Sequence, residues 1–267
     1  MENGCSEIQL FYQYRYDENG RMACNPLEFL RCKEIISRYL RFPNMEIADI
    51  GGATGAFSYW LARMNHAVHL LDLTPSHIER AKQNGKEIGT VLASYVCADA
   101  RRLPYPDERF DLVLEMGPLY HLQARRDRMS CLSEALRVLK HDGVMICEVI
   151  SRHVNLFEGF QDSLIDDARF VDLLDENLRS GNHSPGDTPY FTTAFFHTHE
   201  EIYRELEQAG FADISIIAVE GFANVLNAGE LLRDGRRREL LMQYIRRTES
   251  VPELFGVSGH LIAVGRK

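Results

Sequence analysis

Residues 47–57 read "IADIGGATGAF", a short apolar run that ends on Asp49 and passes directly into Gly51, Gly52 and Gly55. Glycine loses more backbone entropy on folding than any other residue, so this spacing is costly in an ordinary helix or strand. A turn of this kind is favoured where the main chain must approach something closely or take up a left-handed conformation. The apolar run before it has the length of a buried strand, and "AFSYWLARM" after it has helical spacing. The stretch therefore predicts a strand, a bare turn and a helix, the opening unit of an α/β sheet.

The same alternation continues on both sides. "PLEFLRCKEIISRYL" reads as a helix that ends before Pro43, and "HAVHLLDL" as a second strand. "PSHIERAKQNGKEIG" is a helix with proline in its first turn, and "VLASYVCAD" a third strand. "RFDLVLEM", "RDRMSCLSEALRVLK" and "VMICEVI" follow as strand, helix and strand, the helix being closed by an "HDG" turn. Two final strands are expected in "FADISIIAVE" and "SGHLIAVGRK", after a helix "THEEIYRELEQAGF" opened by a Thr198/Glu201 capping box and stopped at Gly210. Strands separated by helical patterns predict an α/β fold with a doubly wound, seven-stranded, mostly parallel sheet covered on both faces. Residues 45–150 are expected to form its core. Residues 1–44 are expected to be an arm and helix serving as lid, 151–196 a helical cap insertion, and 197–267 the end of the sheet interrupted by a helical insertion at 221–257.

The 267 residues, 45% hydrophobic and 26% charged, suffice to bury a sizeable core. The formal charge of −9 argues against nucleic acid as the main partner, and no apolar run approaches the roughly 18–20 residues of a membrane span. The cluster Arg236, Arg237 and Arg238, with Arg246 and Arg247, is read as a solvated helix face. The amino-terminal stretch lacks a basic start followed by an apolar run, so a cytoplasmic location is expected. The six cysteines include no C-x-x-C pair; Cys97 and Cys147, in apolar runs, are expected to be small buried hydrophobes in a reducing compartment.

Ligands of open α/β sheets bind beyond the carboxyl ends of the strands, where the strand order reverses. The glycine turn alone would suit any adenosine-containing cofactor. Asp72 ends the second strand 21 residues after Gly51, where a carboxylate can accept both ribose hydroxyls, and Asp99 ends the third. A nicotinamide dinucleotide would want G-x-G-x-x-G, but from Gly51 the chain offers G-G-A-T-G-A and the spacing fails.

Taken in order, "ADIGGATGAF", "VHLLDLTP", "CADARRLPYPDERFDLVLEMGPLYHL" and "EALRVLKHDGVMICEV" resemble the class I S-adenosylmethionine-dependent methyltransferases over about residues 45–150. "GPLYHL" further resembles a bacterial branch of small-molecule enzymes with unassigned substrates. The middle glycine of the family motif is Ala53 here, tolerable if its φ is negative. The resemblance implies S-adenosyl-L-methionine as cofactor, with Gly51, Gly52 and Gly55 against its methionine part and Asp49 orienting the loop or the ammonium group. It assigns Asp72 and Leu73 to the ribose, Asp99 and Ala100 to the adenine, and Glu115, Met116 and Gly117 to the wall beside the sulfonium. It also implies a small-molecule methyl acceptor, with no nucleic acid, membrane or metal; a homodimer is left open.

Methyl transfer from a sulfonium is an in-line displacement whose leaving group departs neutral, so alignment of the reacting atoms matters most. A base is needed only when the nucleophile must shed a proton. His121 and Tyr120, just past the fourth strand, are the candidate catalytic residues, with a helix-capping role for His121 equally open. Tyr12, Tyr14 and Tyr16 are candidates for a lid or for one face of a strand, and His197 and His199 are read as capping or packing residues rather than metal ligands. The alternative functions are a non-catalytic cofactor-binding regulatory protein and, less favoured, a nicotinamide-dependent oxidoreductase. No N-P-P-Y-like tetrapeptide for flipped bases is present; the corresponding site reads "EMGPLY".

Overall fold

The computed structural model describes residue 11 and residues 25–226 and 228–267; Tyr12, Tyr14 and Tyr16 lie outside them. Helix α1 (Pro26–Ser37) precedes the units β1 (Glu46–Ile50)–α2 (Ala56–Ala62), β2 (Ala67–Asp72)–α3 (Pro75–Ile88) and β3 (Ser94–Cys97). Next come β4 (Phe110–Glu115), the one-turn α4 (Pro118–His121), α5 (Arg125–Val138) and β5 (Leu139–Ile150). The strand order is β3-β2-β1-β4-β5-β9-β8, where β8 spans Ala212–Ala218 and β9 His260–Arg266. All pairs from β3 to β5 are parallel; β9 runs antiparallel between β5 and β8. The expected seven-stranded, mostly parallel sheet is what forms.

The local reasons are legible. β1 is almost wholly buried because helices cover both faces of the sheet, so it reads as an apolar run rather than an alternation. Its residues still divide by the two-residue period: Ala48 and Ile50 join one core with Val113 and Leu132, while Ile47 joins the other with Leu70 and Leu112. α3 starts on Pro75 and ends on Gly89 in the left-handed region, φ +67°. α8 (His199–Ala209) carries both halves of the Thr198/Glu201 capping box and stops at Gly210.

Residues 151–196 hold α6 (Val154–Gln161), α7 (Ala168–Ser180) and a ribbon of two two-residue strands, β6 (Asn182–His183) and β7 (Ala194–Phe195). The ribbon is too short to leave a periodic signal in the sequence. The segment between β8 and β9 contains α9 (Ala228–Leu231), α10 (Gly235–Thr248) and α11 (Pro252–Phe255). Leu241, Met242 and Ile245 of α10 pack against Leu27 of α1, so this segment and α1 share a small core of their own. Arg236, Arg237 and Arg238 are exposed, as expected of a solvated helix face.

Two sequence expectations fail here. Cys97 is exposed, not buried, because β3 is the edge strand, and only its partner β2 shields it; Cys147 is buried as expected. The "HDG" sequence does not close α5; β5 begins at Leu139, directly after the helix. Pairing with β4 then shifts register between Phe110 and Leu112, with Asp142 at φ +63° absorbing the irregularity. Among the described residues no helix is long and apolar enough to cross a membrane.

Candidate functional site

The strand order reverses at β1 and β4, and a cavity opens beyond their carboxyl ends. It encloses about 1250 Å³ of atom-free space, part of it open to solvent. The loop from Gly51 to Thr54 forms its floor. Gly51 and Gly52 both donate their N–H groups to the Leu71 carbonyl, at 2.7 and 3.1 Å, which ties the loop to the end of β2.

The need for bare backbone is set first by the protein's own packing. A Cβ on Gly51, at φ +72°, would lie 2.7 Å from the Pro118 ring, and one on Gly52 would lie 2.8 Å from the Asp49 carboxylate. Gly55, at φ +92°, caps α2 and abuts Tyr59; it is not on the cavity wall. Ala53 departs from expectation. Its φ is +46°, in the left-handed region where a side chain costs about 1–2 kcal/mol, so the variant is strained rather than neutral. What fixes it is its N–H, which donates to Asp72 Oδ2 at 3.0 Å. Its methyl lies on the cavity wall and does not close the cavity.

Three strand-tip carboxylates meet here. Asp49 is fully buried behind Gly52; Ser58 Oγ donates to its Oδ2 at 2.5 Å, and Oδ1 has no hydrogen-bond partner among the described residues. Burial pushes this carboxyl up to about 6; Ser58 opposes the rise and the Asp72 charge adds to it. Asp72 accepts from the N–H groups of Ala53 and Thr74 and pairs with His77 Nδ1 at 3.1 Å. Asp99 accepts from the Arg101 N–H and is bridged by the Arg101 guanidinium at 2.6 Å, which outweighs burial and lowers its pKa. Leu73, Ala100, Met116 and Gly117 also lie on the wall.

Glu115 does not. As the residue before Met116 on an alternating strand, it points to the opposite face, where Cys131 Sγ of α5 donates to its Oε1 at 3.2 Å. Its Oε2 has no hydrogen-bond partner among the described residues, and burial drives the carboxyl up to about 7 against that one hydrogen bond. Tyr120 and His121 are both on the wall. The Tyr120 hydroxyl turns back to the Met116 carbonyl at 3.4 Å. The His121 ring lies tilted against Tyr120, with centroids 4.6 Å apart, and donates from Nδ1 to the Thr193 carbonyl at 3.3 Å. Thr193 and the neighbouring Phe191 bring the 151–196 insertion against these two wall residues. His197 is buried against Glu205 at 3.4 Å, and His199 packs on the Phe255 ring.

Sequence reasoning expected a lid from residues 1–44 but named none of the α1 residues that face the cavity. Asn25, Glu28 and Phe29 line the cavity, with the Phe29 ring 5.1 Å from that of Phe57, just past the glycine loop. "PLEFL" shows only helical periodicity, which does not say that its polar positions face a cavity. His77, paired with Asp72, was also unread.

These features fit an adenosyl sulfonium. The buried Asp49 Oδ1 offers an acceptor without a donor, and the three carboxylates suit a ligand with a positive centre and ribose hydroxyls. Residues 48–147 match the family model described as "Methyltransferase domain". The chain is 31% identical over 122 residues to the ubiquinone biosynthesis O-methyltransferase of Cereibacter sphaeroides, covering 46% of this chain and 48% of that one. It is 28% identical over 180 residues to the glycine/sarcosine N-methyltransferase of Aphanothece halophytica, covering 63% and 67%. The chain thus spans about half the length of the first of these curated relatives and two thirds of the second. The crystal structure of an S-adenosylmethionine-dependent methyltransferase from Methanosarcina mazei superposes with a TM-score of 0.60 over 87% of this chain and 96% of that one, at 17% identity. Fold, motif order and domain match agree: residues 48–147 are a methyltransferase domain, and the sheet around it has the fold of the S-adenosylmethionine-dependent methyltransferases.

Proposed function

We propose that the protein transfers a methyl group from S-adenosylmethionine to a small molecule. The observation that carries this reading is the meeting of Asp49, Asp72 and Asp99 with the glycine loop on one cavity at the point where the strand order reverses. When bound, the cofactor supplies an electrophilic methyl on a positive sulfur. The chain's own residues would do the rest by holding and aligning. The Gly51–Gly52 main chain and Asp49 would hold the methionine part, Asp72 with Leu73 the ribose, and Asp99 with Ala100 the adenine. Met116 and Gly117, at the tip of β4, would border the sulfonium. Glu115 is left out of that role by its orientation.

A small acceptor is supported by the lining of the cavity by residues of α1 and α4 beside the glycine loop, and by the acceptors named for the two curated relatives. Tyr120 would serve as a wall, since its hydroxyl is spent on Met116. His121, with its proton held on Nδ1 by Thr193, would be the group able to accept a proton through Nε2.

Calorimetry of S-adenosylmethionine binding to Asp72→Ala tests the assignment. Loss of at least tenfold in affinity is expected, with the fold retained by circular dichroism. Unchanged affinity removes Asp72 from the site.

A further inference from the structure

Asp72, at the tip of β2, is engaged on both oxygens by the chain itself. Its Oδ1 accepts from the Thr74 N–H at 2.8 Å and meets His77 Nδ1 at 3.1 Å, while Oδ2 accepts from the Ala53 N–H at 3.0 Å. A carboxylate oxygen offers two lone-pair sites and no hydrogen, so the His77 nitrogen is the donor and Oδ1 is filled. One site remains, on Oδ2. On sequence grounds Asp72 accepts both ribose hydroxyls; this count leaves room for one. We infer that His77 is a ribose-positioning residue: by donating to Oδ1 it limits Asp72 to a single hydroxyl, received at Oδ2. The inference rests on the methyl-transfer reading, in which Asp72 holds the cofactor's ribose, and extends that subsite to a residue beyond the strand tips.

His77 reaches Asp72 for local reasons. Thr74 is the N-cap of α3, in extended backbone, and Pro75 opens the helix. His77 is therefore the third helical residue, the position whose side chain can reach back over the cap. Its own N–H donates to the Thr74 carbonyl at 3.1 Å, and it lines the same cavity as Asp72. The two side chains are 12% and 9% exposed, so their bond is largely shielded from water, and the acceptor's charge strengthens it. The partner of Oδ2 is also fixed, since the Ala53 N–H belongs to the turn held at φ +46°. A carboxylate held at both ends cannot swing about its Cβ–Cγ bond to offer its oxygens interchangeably. The two hydroxyls of a ribose thus meet unlike surroundings: one finds an open acceptor site, the other an oxygen already satisfied.

The experiment compares S-adenosylhomocysteine with its 2′-deoxy and 3′-deoxy analogues by calorimetry on the full chain. Absence of S-adenosylhomocysteine binding to the parent protein defeats the methyl-transfer reading itself. Where it binds, one deoxy analogue should be weaker by about tenfold or more and the other within about threefold of it, as expected when only one hydroxyl donates to a charged acceptor. His77→Ala opens Oδ1 and releases the carboxylate, so the two analogues should then differ by less than about threefold. His77→Asn, whose amide can donate to the same oxygen, should keep the preference. A merely structural role for His77 would weaken all three ligands alike and leave the difference between the analogues intact. Nitrogen-15 spectra of the parent protein, which need no variant, should show a hydrogen on His77 Nδ1. Analogues that bind alike to the parent, a difference that outlives His77→Ala or is lost in His77→Asn, or a bare Nδ1 overturns the inference while leaving the cofactor assignment standing.

Discussion

Gly51 and Ala53 sit two residues apart in one turn, both with positive φ, and exchanging their types should move stability in opposite directions. Gly51→Ala puts a Cβ into the left-handed region at φ +72°, costing about 1–2 kcal/mol, and 2.7 Å from Cγ and Cδ of Pro118. That ring opens α4 and its backbone angle is fixed, so it yields little; overpacking of this kind costs about 1–3 kcal/mol more. The sum is a loss of about 2–5 kcal/mol. Ala53→Gly, at φ +46°, recovers about 1–2 kcal/mol of strain and gives back about 0.4–1 kcal/mol to the greater freedom of glycine in the unfolded chain. Its net effect is a gain of about 0–1.5 kcal/mol. Urea unfolding of the two variants, compared at a common m-value, reads both quantities. The reasoning about this turn is wrong if Ala53→Gly costs more than about 1 kcal/mol, or if Gly51→Ala stays within about 0.5 kcal/mol of the parent. Cofactor calorimetry on the same samples should show Ala53→Gly at or above parental affinity, because the Ala53 N–H must keep the direction that reaches Asp72.

Further outcomes follow from buried charge. The folded value of Glu115 lies above the ordinary 4.5, at about 7, so the native state binds its proton more tightly. Stability from this carboxyl is whole below pH 4.5 and fades as pH climbs through about 7, by about 3 kcal/mol at most; Glu115→Gln should flatten the slope of Tm between pH 5 and 8, and an unaltered slope refutes the account. Glu205 is the opposite case: burial raises it, but His197 and Arg128 hold it down at about 2, so its contribution is whole above 4.5 and is lost as pH falls through about 2. Glu205→Ala strands the buried Arg128 guanidinium, which Glu205 meets at 2.8 Å, and should cost about 3–5 kcal/mol in denaturant titration; a cost below about 1 kcal/mol contradicts it. Thr198→Ala removes the cap of α8 and should cost about 1 kcal/mol, read in the same titration, with no effect on cofactor affinity.

What the sequence disclosed depended on whether the controlling interaction is local. The strand-turn-helix units, the capping box at Thr198 and the strand-tip acids were legible because periodicity, caps and punctuation are written in neighbouring residues. Glu115 was expected on the cavity wall with Met116 and Gly117, but Met116 is on that wall and a two-residue period sends the preceding side chain to the other face. The φ of Ala53 was not, since it is imposed by Asp72, nineteen positions away, which claims its N–H. The exposure of Cys97 depends on β3 having only one neighbour, a property of strand order and not of the run "SYVC". Glu28 was hidden in a helix whose polar face meets a cavity assembled with β1, β2 and β4.

The placement of β9 has a consequence for how the chain is made. His260–Arg266 is inserted between β5 and β8, although it leaves the ribosome more than forty residues after β8. Until it arrives, β8 has no hydrogen-bonded neighbour in the sheet and β5 presents an open edge. The nascent protein must therefore carry the open rim of β5, and from residue 218 that of β8 as well, until His260–Arg266 is made and slides between them.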